Sequence, residues 1–498
     1  MSSLNKKTLE AKQRNSGLST WKIVFFVIAA TTPMAAMIGT VPYGFALGTG
    51  AGMPAMYLLA GLIMLCFISG YAAMSHKIVN TGALYTYIRA GLGRLPGASA
   101  AYVAVLSYIA FTIGIVGAFG YFAVMILPFH GVSWECYSAA LLLVVAVLGR
   151  RQLDLSVKTI GLLMCAEILI LVIMDLAIGA DKGVGALPAV SFSPSVAFGT
   201  GLAAAMTFAF TSYIGVESAP LYSEEARDPR RSIPRAGYWA VAIITVFYTL
   251  TSWLAVGGLG VNHVRTAAAT EGGGLFFALN AQFTAPWVTD VMKVLLVTSF
   301  LATTIALHNA ASRYIFALGR EGLLPHWLGR RHPKHGSPAR ASALLSIVTA
   351  AVVAAFAIAR LNPYTTLGVS MISLATIGIM VLLLAASLAV LVYFARRPSD
   401  RHWWTTVSAP LLALAGLGSA LVLVLGHYKY LTGTDSSLIN GLPWLILVAI
   451  AVGVARALWL RARRPVAYAA MHPEFDTPNS HDDSPAIVPA AAPEPVAA

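Results

Sequence analysis

Twelve apolar stretches, each long enough to cross a bilayer at roughly 20 residues apiece, divide this chain almost end to end. They run over 21–47, 53–75, 98–128, 133–149, 156–180, 197–222, 236–260, 285–318, 341–360, 365–395, 405–427 and 438–460. Hydrocarbon offers no water to a free N–H or C=O, so segments of this length and apolarity cross as helices whose backbone bonds are internal. The predicted class is an all-α polytopic membrane protein. Charged residues make up only 11% of the chain, against about a quarter in a soluble protein, which excludes a soluble multidomain enzyme. The 43 glycines suit close helix packing in lipid.

The net charge of +13 invites a nucleic-acid partner, and its distribution argues against one. With twelve spans and the N-terminus inside, the inner segments hold 28 Lys and Arg. The outer segments hold four, Lys182, Arg265, Arg360 and Lys429, and Lys293 falls within span 8. This is the positive-inside bias. It predicts a multi-pass protein of the inner or plasma membrane with both termini cytoplasmic. Cys66, Cys136 and Cys165 are scattered and form neither a disulfide framework nor a metal spacing, so no metal or other cofactor is expected. Residues 1–20 are a polar cytoplasmic tail without a signal-peptide core. Residues 21–464 are the membrane domain. Residues 465–498, with seven prolines and five acids, read as a disordered cytoplasmic tail.

Two spans depart from ordinary apolar helices. Span 1 carries Pro33, Gly39, Pro42 and Gly44 within 12 residues. Proline removes a helix donor and clashes with the preceding turn, so unwinding is expected near Ala36–Val41. Span 6 opens with Gly199 and Gly201, softens again at Ser212–Gly215, and holds Glu217 inside a segment that should cross the membrane. Free backbone and a carboxylate at membrane depth persist mainly where they line a cavity or a site. A packing kink accounts for either cluster alone. Two clusters five spans apart point to a midplane site between two halves, spans 1–5 and 6–10, with spans 11 and 12 appended. An odd number of spans per half makes the halves inverted.

Three loops carry specific patterns: VNTGALYTYIRAGLGRLPG at 79–97, EEARDPRRSIPRA at 224–236, and SRYIFALGREGLLPHWLGRRHPKHGSPARA at 312–341. Together with IGTVP at Ile38–Pro42 and IGVESA at Ile214–Ala219, they resemble the amino acid–polyamine–organocation permeases over roughly residues 20–465. The resemblance implies a LeuT-like fold of 5+5 inverted repeats with twelve transmembrane helices. It also implies alternating access and transport of an amino acid or related amine, with the substrate held at the breaks in spans 1 and 6. One departure stands out. The family commonly has Gly-Ser-Gly-Ile in span 1, whereas here Gly39, Thr40 and Val41 are followed by Pro42. Fewer open amides weaken a carboxylate clamp and leave the substrate class open between amino acids and amines.

The candidate substrate residues are Ala36, Met37, Ile38, Gly39 and Thr40 in span 1 and Phe210, Thr211, Ser212, Tyr213 and Ile214 in span 6. At the first, backbone matters most: helix N-termini present amides to an anion, and freed carbonyls face an ammonium. Phe208, Phe210 and Tyr213 could close an aromatic lid over an amine, a cation–π contact worth about 0.5–2 kcal/mol. Glu217 resembles the family's span 6 glutamate and reads either as a proton carrier or as a structural acid. Glu167 and Asp175 lie eight apart in span 5, about 80° from one face. Glu167 falls near the position where some proton-coupled relatives hold a cationic side chain, which makes it the candidate for the coupling proton, or for pairing with a cationic substrate. Span 8 carries Ser299, Thr303 and Thr304, hydroxyls that could ligate sodium but more commonly bond their own helix. His308 reads as a helix–helix bond.

The leading function is therefore a permease for an amino acid or amine, proton-coupled, with sodium as the other coupling ion to test. A polyamine or amine exchanger of the same fold is the near alternative. A membrane-embedded sensor is the distant one, and it lacks a soluble output domain. No Walker phosphate loop is present, and Gly48-x-Gly50-x-Gly52 lacks a strand–turn–helix context, so neither an ATP pump nor an enzyme is expected.

Overall fold

The computed structural model describes residues 18–470 except 79–82, 128, 130, 152–156, 223–225 and 333–336. Most of both expected tails, and the acidic pair that opens the loop after span 6, therefore lie outside the described residues. Among the described residues ten helices are long and apolar enough to cross a membrane. They take the positions of spans 1–3, 5 and 7–12. Span 4, Trp134–Arg151, carries Glu135, Arg150 and Arg151 within its 18 residues. Span 6 is broken into Leu202–Thr211 and a 3-10 stretch, Val216–Tyr222. The chain is a multi-pass helical membrane protein.

Span 1 is also broken, at a different place from the one its prolines suggest. Helix Thr20–Ala30 ends at Thr31–Thr32, and helix Pro33–Ala46 begins at once. Residues 36–41 are helical, so the expected unwinding at Ala36–Val41 is corrected. The two prolines act differently. Pro33 sits at the first helical position, where its missing N–H costs nothing, and its ring keeps Thr32 out of the α region. Thr32 takes φ +43°, ψ +69°, an uncommon conformation for a β-branched residue that costs about 1–3 kcal/mol. Pro42 lies inside the helix, where it has no N–H to give the carbonyl of Ile38.

The helix after span 6 starts earlier than its loop-like sequence implies. Span 7 runs Pro229–Leu259, with Pro229 at the first helical position and Ser232 N–H bonded to Asp228 C=O at 2.7 Å. Spans 1, 2, 3 and 10 are each 67% buried in their most apolar window, while spans 9, 11 and 12 are 33%, 33% and 28% buried. The first set forms the interior and the second the rim. Close approach rather than hydrophobic driving force holds such helices in lipid. At Gly61 in span 2 a Cβ would lie 2.2 Å from the Thr245 hydroxyl of span 7, so those helices touch backbone to side chain.

Two layers close the ends. On the face that carries Leu18, helix Ala83–Leu92 packs beside span 10, and its Tyr85 hydroxyl donates to Glu321 Oε1 at 3.0 Å. Leu18 and Arg227 pair through backbone on the same side, with Arg227 N–H to Leu18 C=O at 3.0 Å. On the opposite face, helices Val264–Glu271 and Leu275–Phe283 cover the ends of spans 1 and 6. Arg265 donates there to the Gly48 carbonyl at 2.7 Å.

Candidate functional site at the two helix breaks

The breaks in spans 1 and 6 meet back to back. Gly215, at φ +112°, turns the chain out of helix Leu202–Thr211, and a Cβ on it would lie 2.7 Å from the Ala30 carbonyl oxygen and 3.1 Å from Thr31 N. Only glycine fits both the dihedral and the distance. Hydroxyls tie the joint. Thr40 and Ser212 share a bond at 3.1 Å, Tyr57 of span 2 reaches Ser212 at 3.3 Å, and Thr211 bonds Thr376 of span 10 at 2.7 Å.

A cavity of about 30 Å³ lies at this joint. That is room for one or two waters, so an amino acid or amine enters only if the walls move. Of the residues expected from sequence, Ala36, Gly39, Thr40, Thr211, Ser212 and Ile214 line it. Met37 and Ile38 do not; both are fully buried in helix packing. Phe210 and Tyr213 also point elsewhere and border a separate void of about 10 Å³ beside Glu217. Tyr213 donates to the Tyr57 carbonyl at 2.8 Å and to Thr245 at 3.1 Å, which fixes it to spans 2 and 7.

Sequence reasoning missed Thr31, Thr32 and Ala35, which line the cavity at the true break. The Thr-Thr-Pro run was the available signal, since proline at a helix restart marks the break before it. It also missed Phe111 and Ile115 of span 3, Phe300 of span 8 and Ile372 of span 10. These are ordinary apolar residues in apolar helices and carry no local signal.

An aromatic layer lies beside the cavity. Of Phe208, Phe210 and Tyr213, expected from sequence as a lid, Phe208 joins this layer, stacked on Tyr43 at 5.4 Å. Tyr43 meets Tyr364 at 4.5 Å, Tyr364 stacks on Tyr121 at 4.5 Å, and Phe122 stacks on Phe300 at 5.3 Å. The Tyr364 hydroxyl donates to the Gly39 carbonyl at 3.1 Å, which pins this layer to span 1.

The electrostatics of the cavity come from backbone. Helix Pro33–Ala46 starts at it, and the amides of Met34 and Ala35 have no acceptor within their own helix. Helices Thr20–Ala30 and Leu202–Thr211 both end at it. A helix N-terminus carries about +0.5 charge and a C-terminus about −0.5. One positive and two negative helix ends therefore face one small space. Every lining side chain is uncharged.

The two acids stand around the cavity rather than in it. Glu217 is buried and accepts from Gly215 N–H at 2.8 Å and from the Tyr108 hydroxyl of span 3 at 3.1 Å. It brackets the break in span 6. Glu167 is buried on span 5 and accepts from Ser299 of span 8 at 3.1 Å. The Tyr248 hydroxyl of span 7 donates to the Thr31 carbonyl at 3.5 Å. The span 8 hydroxyls of Thr303 and Thr304 bond the carbonyls of Ser299 and Phe300 in their own helix, each at 2.7 Å. His308 bonds Ser342 of span 9 at 2.8 Å. Among the described residues no group of three or more His, Cys, Asp or Glu side chains could hold a metal ion.

Comparison with known proteins agrees with this architecture. A family model described as amino acid permease matches residues 18–453. The methylthioribose transporter of Bacillus subtilis (strain 168) is 25% identical over 450 residues, which are 84% of this chain and 92% of that protein. The cationic amino acid transporter 7, chloroplastic, of Arabidopsis thaliana is 28% identical over 322 residues, 60% of this chain and 54% of that one. The branched-chain amino acid permease BcaP of Bacillus subtilis (strain 168) is 22% identical over 316 residues, 59% of this chain and 65% of that one. Family and relatives alike are membrane transporters rather than enzymes, and the chain belongs to the amino acid permease family.

Proposed function

We propose that this chain is a secondary active transporter that carries a small, neutral amino acid with an apolar side chain across the cell membrane by alternating access, coupled to protons. One observation carries the reading: a cavity whose charge comes only from opposed helix ends and whose walls are otherwise uncharged. A zwitterion matches those ends, its carboxylate at the start of helix Pro33–Ala46 and its ammonium at the two helix C-termini. Phe111, Ile115 and Phe300 then receive the side chain. A second cationic group, as in a polyamine or a basic amino acid, would find no carboxylate in the lining. This favours the kind of substrate named for the branched-chain permease over that named for the cationic transporters.

The second reading is a neutral, hydroxyl-rich substrate such as methylthioribose. The Thr40, Thr211 and Ser212 hydroxyls of the lining favour it, as does the 92% coverage of the transporter named for that compound. The bias of basic residues supports cytoplasmic termini. Spans 1–5 and 6–10 act as the two moving halves, and Glu167 holds the coupling proton beside the joint.

The test is uptake into proteoliposomes of labelled leucine, alanine, lysine, putrescine and methylthioribose, under imposed proton or sodium gradients. Leucine-type uptake driven by protons is expected; uptake of lysine or putrescine alone would sink the reading. Glu167→Gln should keep gradient-free counterflow and lose proton-driven accumulation. If accumulation persists, Glu167 is not the coupling acid.

Gly39 supplies a sharper test of the cavity. A Cβ there meets only the Phe300 ring, at an ordinary 3.8 Å. Gly39→Ala should therefore stabilise the helix by about 0.5–1 kcal/mol while reducing cavity space. Thermal stability should rise and apparent affinity fall, most for the largest accepted side chain. Unchanged affinity across the panel would place the substrate elsewhere.

A further inference from the structure

Asp175 is the second acid of span 5, and nothing in the site at the helix breaks uses it. It lies two turns beyond Glu167, about 12 Å along the axis, and about 10 Å short of the helix end at Lys182. Leu162, Leu169 and Leu176 form the exposed stripe of this helix, at 74%, 59% and 68% exposure, whereas Asp175 is only 8% exposed. Its neighbours Leu171, Met174 and Ile178 are fully buried. The acid thus points into protein.

Its surroundings supply one polar contact. The hydroxyl of Thr251 on span 7, itself fully buried, donates to Asp175 Oδ2 at 2.7 Å. Asp175 Oδ1 is buried and has no hydrogen-bond partner among the described residues. Span 5 packs against spans 1, 7 and 8 and helix Leu275–Phe283. The charged and titratable groups of these elements lie elsewhere or pair with one another. On span 8, Lys293 pairs with Asp290 at 3.1 Å, and His308, Arg313 and Arg320 lie on its later half. Span 7 offers Tyr248, held near Thr31, with Tyr238 and Arg230, Arg231 and Arg235 toward its start. Span 1 offers Lys22 near its start and Tyr43 in the aromatic layer. On span 5 itself, Lys182 pairs with Asp181 at 3.3 Å, Lys158 lies in the first turn, and Glu167 bonds Ser299. Among the described residues Asp175 forms no salt bridge.

An ionised carboxylate taken out of water without a cation is among the most costly arrangements in a protein, and such a group neutralises instead. Oδ2 already accepts the Thr251 hydrogen, so the proton belongs on Oδ1, the oxygen left without a donor. We propose that Asp175 is a proton-binding site, protonated on Oδ1 while spans 5 and 7 are packed and deprotonated when their seam opens to water. On opening, the Oδ1–H bond breaks, the proton passes to water, and the carboxylate remains hydrogen-bonded to Thr251. Protonation rests on the geometry alone. Release rests on the alternating-access reading above and adds to Glu167 a second acid on the same helix.

The experiment is infrared difference spectroscopy of the purified full chain at neutral pH, which reads the carbonyl stretch of protonated carboxyl groups. Asp175→Asn is close to isosteric and keeps an acceptor for Thr251, so it should fold. Its spectrum should lose one such band, which Glu167→Gln and Glu217→Gln retain. Thr251→Val should shift that band without removing it, since the donor is lost and the acid kept. An Asp175→Asn spectrum with every band of the parent means that Asp175 is ionised and overturns the proposal. The second arm is proteoliposome transport. Asp175→Asn should keep counterflow and lose accumulation driven by a proton gradient, and full retention of accumulation overturns release. If the parent protein itself ignores a proton gradient, the coupling reading and release both fail, and the infrared band alone decides protonation.

Discussion

Gly215→Ala is expected to abolish uptake and to lower thermal stability. Two costs coincide at one carbon. The dihedral, φ +112°, is one that side-chain-bearing residues rarely adopt. The added Cβ would also press on Ala30 at 2.7–2.8 Å, where the obstacle is backbone and cannot rotate away. Strain of about 1–3 kcal/mol and overpacking of about 1–3 kcal/mol act together. The only relief is to separate the two breaks, which dismantles the cavity. Thermal unfolding in detergent and counterflow in liposomes measure the two effects. A variant with parental stability and counterflow would mean that spans 1 and 6 do not touch at this point.

Glu217 carries the second large effect, and two substitutions divide its roles. Glu217→Ala removes the acceptor of Gly215 N–H and of the Tyr108 hydroxyl in a buried place. Each donor left unpaired costs about 1–3 kcal/mol. Loss of stability and of uptake together is expected. Glu217→Gln keeps an acceptor oxygen for the backbone amide and near-identical volume. It should retain most counterflow and most proton-driven accumulation, as a bracket does. If Glu217→Gln instead keeps counterflow and loses only accumulation, Glu217 is a proton carrier and the bracket is secondary.

These residues also mark what could be read without coordinates. The membrane class, the matched breaks five spans apart and the softness of Ser212–Gly215 were all legible, because each rests on residues that violate the rules of an apolar helix. A glycine followed two positions later by a carboxylate is hard to keep at that depth unless the helix breaks there and the freed amide meets the acid. The position of the break in span 1 was not legible. Pro33 and Pro42 carry the same local penalty, and only tertiary packing decides which one restarts a helix and which is absorbed within one. Side-chain direction was equally hidden. Phe208, Phe210 and Tyr213 fall on three sides of a helix that ends among them, and its phase relative to spans 2, 3 and 7 is set by contacts remote in sequence. The cavity walls from spans 3, 8 and 10 had no marker at all, since Phe111, Phe300 and Ile372 differ in no local way from neighbours that face lipid.

For the proposed transport cycle, the contact between the two breaks has a kinetic consequence. Because Gly215 rests on Ala30 and Thr31, the break in span 6 bears directly on the break in span 1, and in the proposed cycle these are the pivots of the two halves. Thr31, beside Ala30, also borders the pocket. On the proposed reading, binding and hinge motion share the same few atoms. A substitution that tightens the grip on the substrate also stiffens the pivot, so variants selected for lower Kd should turn over more slowly. Affinity and speed are then expected to form one trade-off curve, and natural variation at the joint to move along that curve rather than off it.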